Sequence, residues 1–157
     1  MSARFDRLDR DASALRLPEF PAMLEAASAA QANARATYSG FAVGAAVLAE
    51  DGRVFAGCNV ESASYGATIC AERSAAAAAV SGGAKSIRAV VVVTPTPEPS
   101  TPCGICRQLL AEFGTGMVVF AASSVTDRVT GTTLGDLLPL SFGAADLGAA
   151  DPGAAGR

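Results

Sequence analysis

Apolar residues along the chain fall into segments that predict alternating helices and strands. Residues 19–35 are rich in Ala, Leu, Met and Gln, and this composition predicts a first helix. Residues 41–48 and 53–60 are short apolar segments on either side of Asp51-Gly52. Because an Asp-Gly pair in this position is a strong hairpin signal, we expect these two segments to form antiparallel strands.

The pattern continues with helices and strands in turn. Residues 71–81 contain strong helix formers, including a run of alanines, and stop at Gly82-Gly83. Residues 87–94 are mostly β-branched and predict a strand buried on both faces. A Pro-rich loop, 95–102, leads into another helix. Shorter segments complete the pattern, with strands predicted at 117–121 and 128–130 and a final helix at 134–138.

This order of elements indicates the α/β fold class. Strands that are each followed by a helix favour one sheet covered by helices. We therefore predict a three-layer α/β/α fold with one mixed five-stranded sheet. The chain has 157 residues, enough for one domain with an ordinary core. We assign this domain to residues 19–147, with a flexible lead-in at 1–18 and a disordered Gly/Ala-rich tail at 148–157.

Charge and composition narrow the class of partner. The formal net charge is -3, and no basic stripe is present, which argues against nucleic acid and favours a small neutral ligand. The apolar runs fall far short of the roughly 20 residues that would span a membrane. Residues 1–18 contain no secretory apolar run, so we expect a cytoplasmic protein whose four cysteines are reduced.

Three cysteines and one glutamate carry the candidate chemistry. Cys70 and Glu72 stand at a predicted helix start, and Cys103 and Cys106 follow at the start of the next helix. The chain has no histidine, so a metal must be bound by cysteine or carboxylate. Three thiolates leave a tetrahedral zinc with one open position, as in catalytic sites. We therefore predict one zinc ion per subunit.

The positions at helix starts suit this chemistry. A helix N-terminus lowers the pKa of a cysteine and favours the thiolate that binds metal. Glu72 lies two residues from Cys70 and is our candidate general acid and base. We expect Arg73, the next residue, to hydrogen-bond the ligand sulfurs and to offset their negative charge. The alternatives for Glu72 and Arg73 are a glutamate that only favours the helix dipole and an ordinary surface arginine.

Other interpretations of the cysteines remain open at this point. Cys103 and Cys106 have the spacing of a thioredoxin-like redox pair, although such a pair needs no third cysteine. Cys58 lies in an apolar strand segment and is better explained as a small buried hydrophobic residue than as a fourth ligand. With a fourth ligand the zinc would be structural, and the protein would be a zinc-stabilised binding module.

Several segments resemble the zinc-dependent cytidine deaminases of the small, homotetrameric class, which share a Cys-Ala-Glu and Pro-Cys-x-x-Cys signature. Five segments match this family in order, namely residues 38–46, 57–61, 70–73, 102–108 and 137–143. The resemblance implies the cytidine deaminase fold and hydrolytic deamination of cytidine and deoxycytidine to uridine and deoxyuridine, with release of ammonia. It also implies a nucleoside substrate and a homotetramer whose active sites are shared between subunits.

The resemblance also implies a role for individual residues. Glu72 would transfer protons, and Cys70, Cys103 and Cys106 would bind zinc. The residues implied to bind substrate are Asn59 and Glu61 at the ribose hydroxyls, Phe41 against the base, the backbone of Ala71 at the ring, and Phe142 from a neighbouring subunit. Asn59 and Glu61 project to the same side of a strand end, and a glutamate there repels phosphate, which favours a nucleoside.

The nearest rival has the same chemistry. Blasticidin S deaminase-like enzymes share the Cys-Ala-Glu and Pro-Cys-x-x-Cys segments, and the pair of Asn59 and Glu61 weighs against them.

Overall fold

Five strands form one mixed sheet in the computed structural model, which describes residues 17–148. The strands are β1 Gly44–Ala49, β2 Val54–Cys58, β3 Ile87–Thr94, β4 Val118–Ser123 and β5 Val129–Thr133. Their order in the sheet is β2-β1-β3-β4-β5. The β3–β4 pair is parallel and the other pairs are antiparallel, so the predicted hairpin and mixed sheet are confirmed.

Helices cover both faces of the sheet. The helices are α1 Phe20–Gln31, α2 Ala71–Ser81, α3 Gly104–Ala111 and the short α4 Leu134–Leu137. One core cluster joins Met23 and Ala27 of α1 to alternate residues of β1, β3 and β4. The intervening residues of the same three strands point to the other face of the sheet, where they form a second cluster with α2, α3 and α4. These two separate cores make the fold a three-layer α/β/α sandwich, as predicted.

The central strand explains why the chain can support both cores. Every residue of β3 is buried except Arg88, because β3 lies between β1 and β4 with helices on both faces. Its Val-rich composition supplies apolar side chains to both faces. The strands β2 and β3 run in the same direction, since each is antiparallel to β1. The starts of α2 and α3 therefore lie at the same edge of the sheet.

Element ends differ from the predictions at several places. The first helix was predicted to reach residue 35 and ends at Gln31. Arg35 instead pairs with the chain after β2, since its N–H donates to the Asn59 carbonyl at 3.0 Å and its carbonyl accepts from Glu61 N–H at 2.9 Å. The predicted β1 segment begins three residues early for a similar reason, because the Asn59 side chain, rather than a strand, binds the backbone of Phe41 and Val43.

The predicted lead-in at 1–18 and tail at 148–157 fall almost wholly outside the described residues, and the domain boundaries stay predictions. Leu17 is described and packs against the core cluster on the α1 face. No helix within residues 17–148 is long and apolar enough to cross a membrane.

Candidate zinc and substrate site

Three thiols meet at the sheet edge where α2 and α3 begin. Cys70 is the N-cap of α2, Cys103 is the N-cap of α3, and Cys106 is one turn into α3. The Sγ atom of Cys103 lies 3.8 Å from that of Cys70 and 3.6 Å from that of Cys106. All three Sγ atoms lie within 4.8 Å of one another. The two helix starts thus bring one and two thiols, respectively, to a single point.

These separations fit a zinc ion. Two sulfurs that each lie 2.3 Å from a tetrahedral zinc are about 3.8 Å apart, close to the separations of Cys103 from the other two thiols. Within residues 17–148 the group holds these three donors alone. Cys58 does not join it; its half-buried thiol faces the carbonyl oxygen of Asn33 at 3.5 Å. The donor set therefore suits zinc with one open position.

The thiols share protons in a way that favours metal binding. The pKa of Cys70 is lowered to about 5, mainly by hydrogen bonds from the thiols of Cys106 and Cys103 and further by the charge of Arg73. The pKa of Cys106 is raised because its proton is held by Cys70 and because its thiol is buried beside Glu72. The group thus favours loss of a proton from one of its thiols, and a divalent cation can take the place of the shared proton.

Arg73 lies close enough to Cys70 for its charge to act on that thiol, and its predicted role toward the sulfurs stays a prediction. One terminal nitrogen donates to the Thr68 carbonyl at 2.6 Å, and its positive charge and hydrogen bonding lower the pKa of Cys70. The Arg73 Nε atom is buried and has no hydrogen-bond partner among the described residues. A buried donor of this kind is costly unless something accepts from it. The buried positive charge and the unpaired donor of Arg73 are therefore suited to a neighbouring group with excess negative charge, such as three thiolates.

Glu72 is buried at the first turn of α2. Its side chain is only 4% exposed. Burial raises the pKa of its carboxyl group, and the negative charge of Cys70 raises it further. A carboxyl group with a raised pKa can both accept and donate a proton near neutral pH, as a general acid and base must.

Glu72 opens onto a cavity of about 290 Å³ that reaches the metal-binding group. Cys70 and Cys103 form part of the wall, and so do four of the five residues predicted to bind substrate, namely Phe41, Asn59, Glu61 and Ala71. Sequence reasoning missed other wall residues, which are Ser39, Val43, Thr68, Val92, Thr94, Ser100 and Thr101. Most of these are small, common residues in strands and loops. The one sequence signal that could have identified some of them is that they lie within a few residues of the matched motifs.

Asn59 and Glu61 hold the cavity wall together. The Asn59 amide donates to the Phe41 carbonyl and accepts from Val43 N–H, both at 2.9 Å. The Glu61 carboxylate accepts from Tyr38 N–H at 2.7 Å and from the N–H and hydroxyl of Ser39. These bonds, the Ser39 hydroxyl first, hold the pKa of Glu61 below its usual value, so its carboxylate stays ionised.

Phe142 is the one predicted substrate-binding residue that the fold does not bring to the cavity. The residue is 58% exposed and lines a separate hollow beside the end of α3. Its carbonyl accepts a hydrogen bond from the Gln108 side chain at 2.9 Å. A contribution of Phe142 to catalysis would therefore have to come from another copy of the chain.

Comparison with known families decides what kind of protein carries this site. Residues 20–122 match the family model for the cytidine and deoxycytidylate deaminase zinc-binding region, a span that includes Glu72 and the three clustered thiols. The chain belongs to this family. The predicted resemblance, the class of zinc-dependent deaminase and the zinc cofactor are confirmed.

Individual relatives agree over most of the chain. A cytidine deaminase from Sporosarcina psychrophila is 45% identical over 118 residues, which is 75% of this chain and 87% of the relative. One from Mycobacterium tuberculosis strain H37Rv is 46% identical over 121 residues, which is 77% of this chain and 87% of the relative. The crystal structure of the Burkholderia pseudomallei cytidine deaminase superposes with a TM-score of 0.73 at 46% identity, covering 78% of this chain and 98% of that one. The predicted fold is thereby confirmed.

Proposed function

We propose that this protein deaminates cytidine and deoxycytidine by hydrolysis, giving uridine and deoxyuridine, with Glu72 as the catalytic acid and base. One observation carries the proposal: a group of three thiols lies at the same cavity as a buried carboxyl group. Three protein ligands would leave a tetrahedral zinc with one position for water. Zinc bound by these thiols supplies the Lewis acidity that activates water as a nucleophile. A structural zinc site would need a fourth protein donor, and the described residues supply none in this group.

Glu72 performs the proton transfers in this scheme. As water adds to C4 of the cytosine ring, the Glu72 carboxylate accepts one proton from the water and delivers it to the ring nitrogen N3. It then moves the remaining proton of the new C4 hydroxyl group to the amino nitrogen. The C4–N bond breaks, ammonia leaves, and C4 becomes the carbonyl carbon of uracil. Burial supports this role, because it raises the pKa of the carboxyl group and keeps bulk water from competing for the proton.

The cavity wall favours a nucleoside over a nucleotide. Glu61 carries a stable negative charge, which repels a phosphate group and can accept hydrogen bonds from ribose hydroxyls. Asn59 retains one amide N–H and one carbonyl lone pair after its bonds to the backbone. Phe41 supplies an apolar surface for the base, and the backbone of Ala71 lies in the same wall. We propose a cytoplasmic location, where thiols stay reduced.

We also propose a homotetramer in which Phe142 stacks on the base bound by a neighbouring subunit. Exposure of the Phe142 ring outside its own cavity supports this arrangement. Mixing tests it directly: Phe142→Ala chains carry an intact Glu72, and Glu72→Gln chains carry an intact Phe142. In a hybrid of both, some sites would combine Glu72 of one chain with Phe142 of its neighbour, so a low KM for cytidine should return. If each site were formed by a single chain, mixing would give no recovery.

The decisive experiment measures metal and reaction on one sample. We expect about one zinc per chain and a loss of cytidine absorbance that stops after zinc is chelated and returns when zinc is restored. Deoxycytidine and blasticidin S serve as competing substrates. A Bacillus cereus blasticidin-S deaminase is 28% identical over 108 residues. A clear preference for blasticidin S would therefore overturn the assignment.

A further inference from the structure

Arg107 connects two parts of the chain that are far apart in sequence. The side chain is half-buried on α3, one residue after Cys106. Its Nε donates to the Pro102 carbonyl at 2.6 Å, and one terminal nitrogen donates to the Thr101 hydroxyl at 2.9 Å. The other terminal nitrogen donates to the Leu137 carbonyl at 2.8 Å. All three nitrogens of the guanidinium are therefore engaged.

Each partner has a distinct place relative to the site. Thr101 and Pro102 directly precede Cys103, and Thr101 lines the cavity. Leu137 is the last residue of α4, where helical carbonyls lack partners within the helix. The guanidinium thus connects two parts of the chain. One is the loop that precedes Cys103, and the other is the segment that runs from Leu137 toward Phe142. A planar fork with fixed donor directions suits this bridging, and a lysine ammonium cannot reproduce it.

Gln108 adds a second link to the same segment. Its amide donates to the Phe142 carbonyl at 2.9 Å, so adjacent side chains of α3 hold residues 137 and 142. Between these two points Leu140 has a φ of 54°, which is uncommon for a bulky residue. A strained segment of this kind persists only when its surroundings hold it.

We propose that Arg107 is a positioning residue that couples the geometry of the Cys103 loop to the placement of the segment 137–142. This inference rests on the proposed zinc binding by the three thiols. Coupling of this kind is reciprocal, so zinc should order the segment, and the segment should help to retain zinc. The segment contains no residue of the three-thiol group.

Two measurements test the coupling. Hydrogen exchange of the wild-type protein, followed by mass spectrometry, should speed up at least about tenfold in residues 137–142 when a chelator removes zinc. Arg107→Lys should release zinc to a chromogenic chelator on the order of tenfold faster, since side chains that orient metal ligands affect metal affinity by 10–100-fold. Gln108→Ala should speed exchange near residue 142, and because the coupling is reciprocal it should also speed zinc release, by less than Arg107→Lys does.

Arg53→Lys is the matched control. Arg53 also binds a helix-end carbonyl, donating to Gly82 at 2.8 Å, but at the far end of α2 from the sulfurs. It should leave zinc release unchanged. Unaltered exchange in 137–142 on zinc removal would contradict the coupling, and so would wild-type zinc release from Arg107→Lys. Failure of the proposed function looks different, because it would appear as a zinc-loaded wild-type protein without cytidine turnover.

Discussion

The metal-binding thiols and the segment carrying Phe142 differ in how completely one chain builds them. The three sulfurs converge within 4.8 Å in a single copy, because two helices begin at the same sheet edge. Phe142 does not line the cavity of its own chain but a separate hollow, and nearby Leu140 is fully exposed. One chain thus brings the three thiols together by folding, whereas the exposed apolar segment has the character of a surface that binds another molecule, as the proposed homotetramer requires.

Cys106→Ser should have the largest effect, because it removes a buried member of the three-thiol group that a single chain brings together. Cys106 is inaccessible to solvent, and its sulfur is one of only three donors in the described group. Zinc content should fall from about one per chain to near zero, with loss of all measurable turnover. Metal analysis and a cytidine assay check this, and Cys58→Ser is the control that should change neither. Retained zinc would show that the three-thiol group is not the metal site.

Glu72→Gln should separate metal binding from proton transfer. The amide keeps the size of the buried side chain but cannot exchange protons, so kcat should fall by roughly 10²–10⁴-fold. Zinc content and thermal stability should stay close to wild type. Single-turnover kinetics with metal analysis provide the measurement. Full activity in this variant would remove Glu72 from the mechanism.

Glu61→Gln should affect binding of the sugar more than the chemical step. The KM for cytidine should rise about tenfold or more with a smaller change in kcat, since a charged hydrogen-bond acceptor is lost. Hydrogen bonds keep the pKa of this carboxyl group below its ordinary value of 4.5. Because this pKa is lowered, the Glu61 carboxylate stays charged from neutral pH down to 4.5. Titration of Glu61 should therefore not change the wild-type KM within that pH range. An equal fall in kcat would argue against a role in binding alone.

Gly57→Ala should have the smallest effect on chemistry and a clear effect on stability. A Cβ at this position of β2 would lie 2.5 Å from the backbone nitrogen of Ala75 in α2. Such overpacking costs about 1–3 kcal/mol and should lower the denaturation midpoint. Gly116→Ala is the control, because a Cβ there meets no atom within 4 Å. Equal midpoints for the two variants would show that α2 and β2 can move apart freely.

Sequence patterns predicted the elements better than their ends. The Asp51-Gly52 pair identified the hairpin, and the β-branched run identified β3, because both signals are local. The end of α1 was predicted four residues too late, since Arg35 pairs with backbone beyond β2, a contact between residues distant in sequence. The partners of Asn59 and Glu61 could not be predicted for the same reason.

The sequence by itself determined the chemistry of this protein. With no histidine, three cysteines restrict the metal and its ligands, and a neighbouring glutamate is the proposed proton carrier, because these expectations depend on residue types and their spacing. Tertiary structure alone decided which wall faces that metal and which residues stay outside. Because β2 and β3 run in the same direction, the starts of α2 and α3 lie together, and Arg107 attaches the segment 137–142 to the start of α3. Such contacts join residues distant along the chain, and their geometry exists only after the sheet has formed.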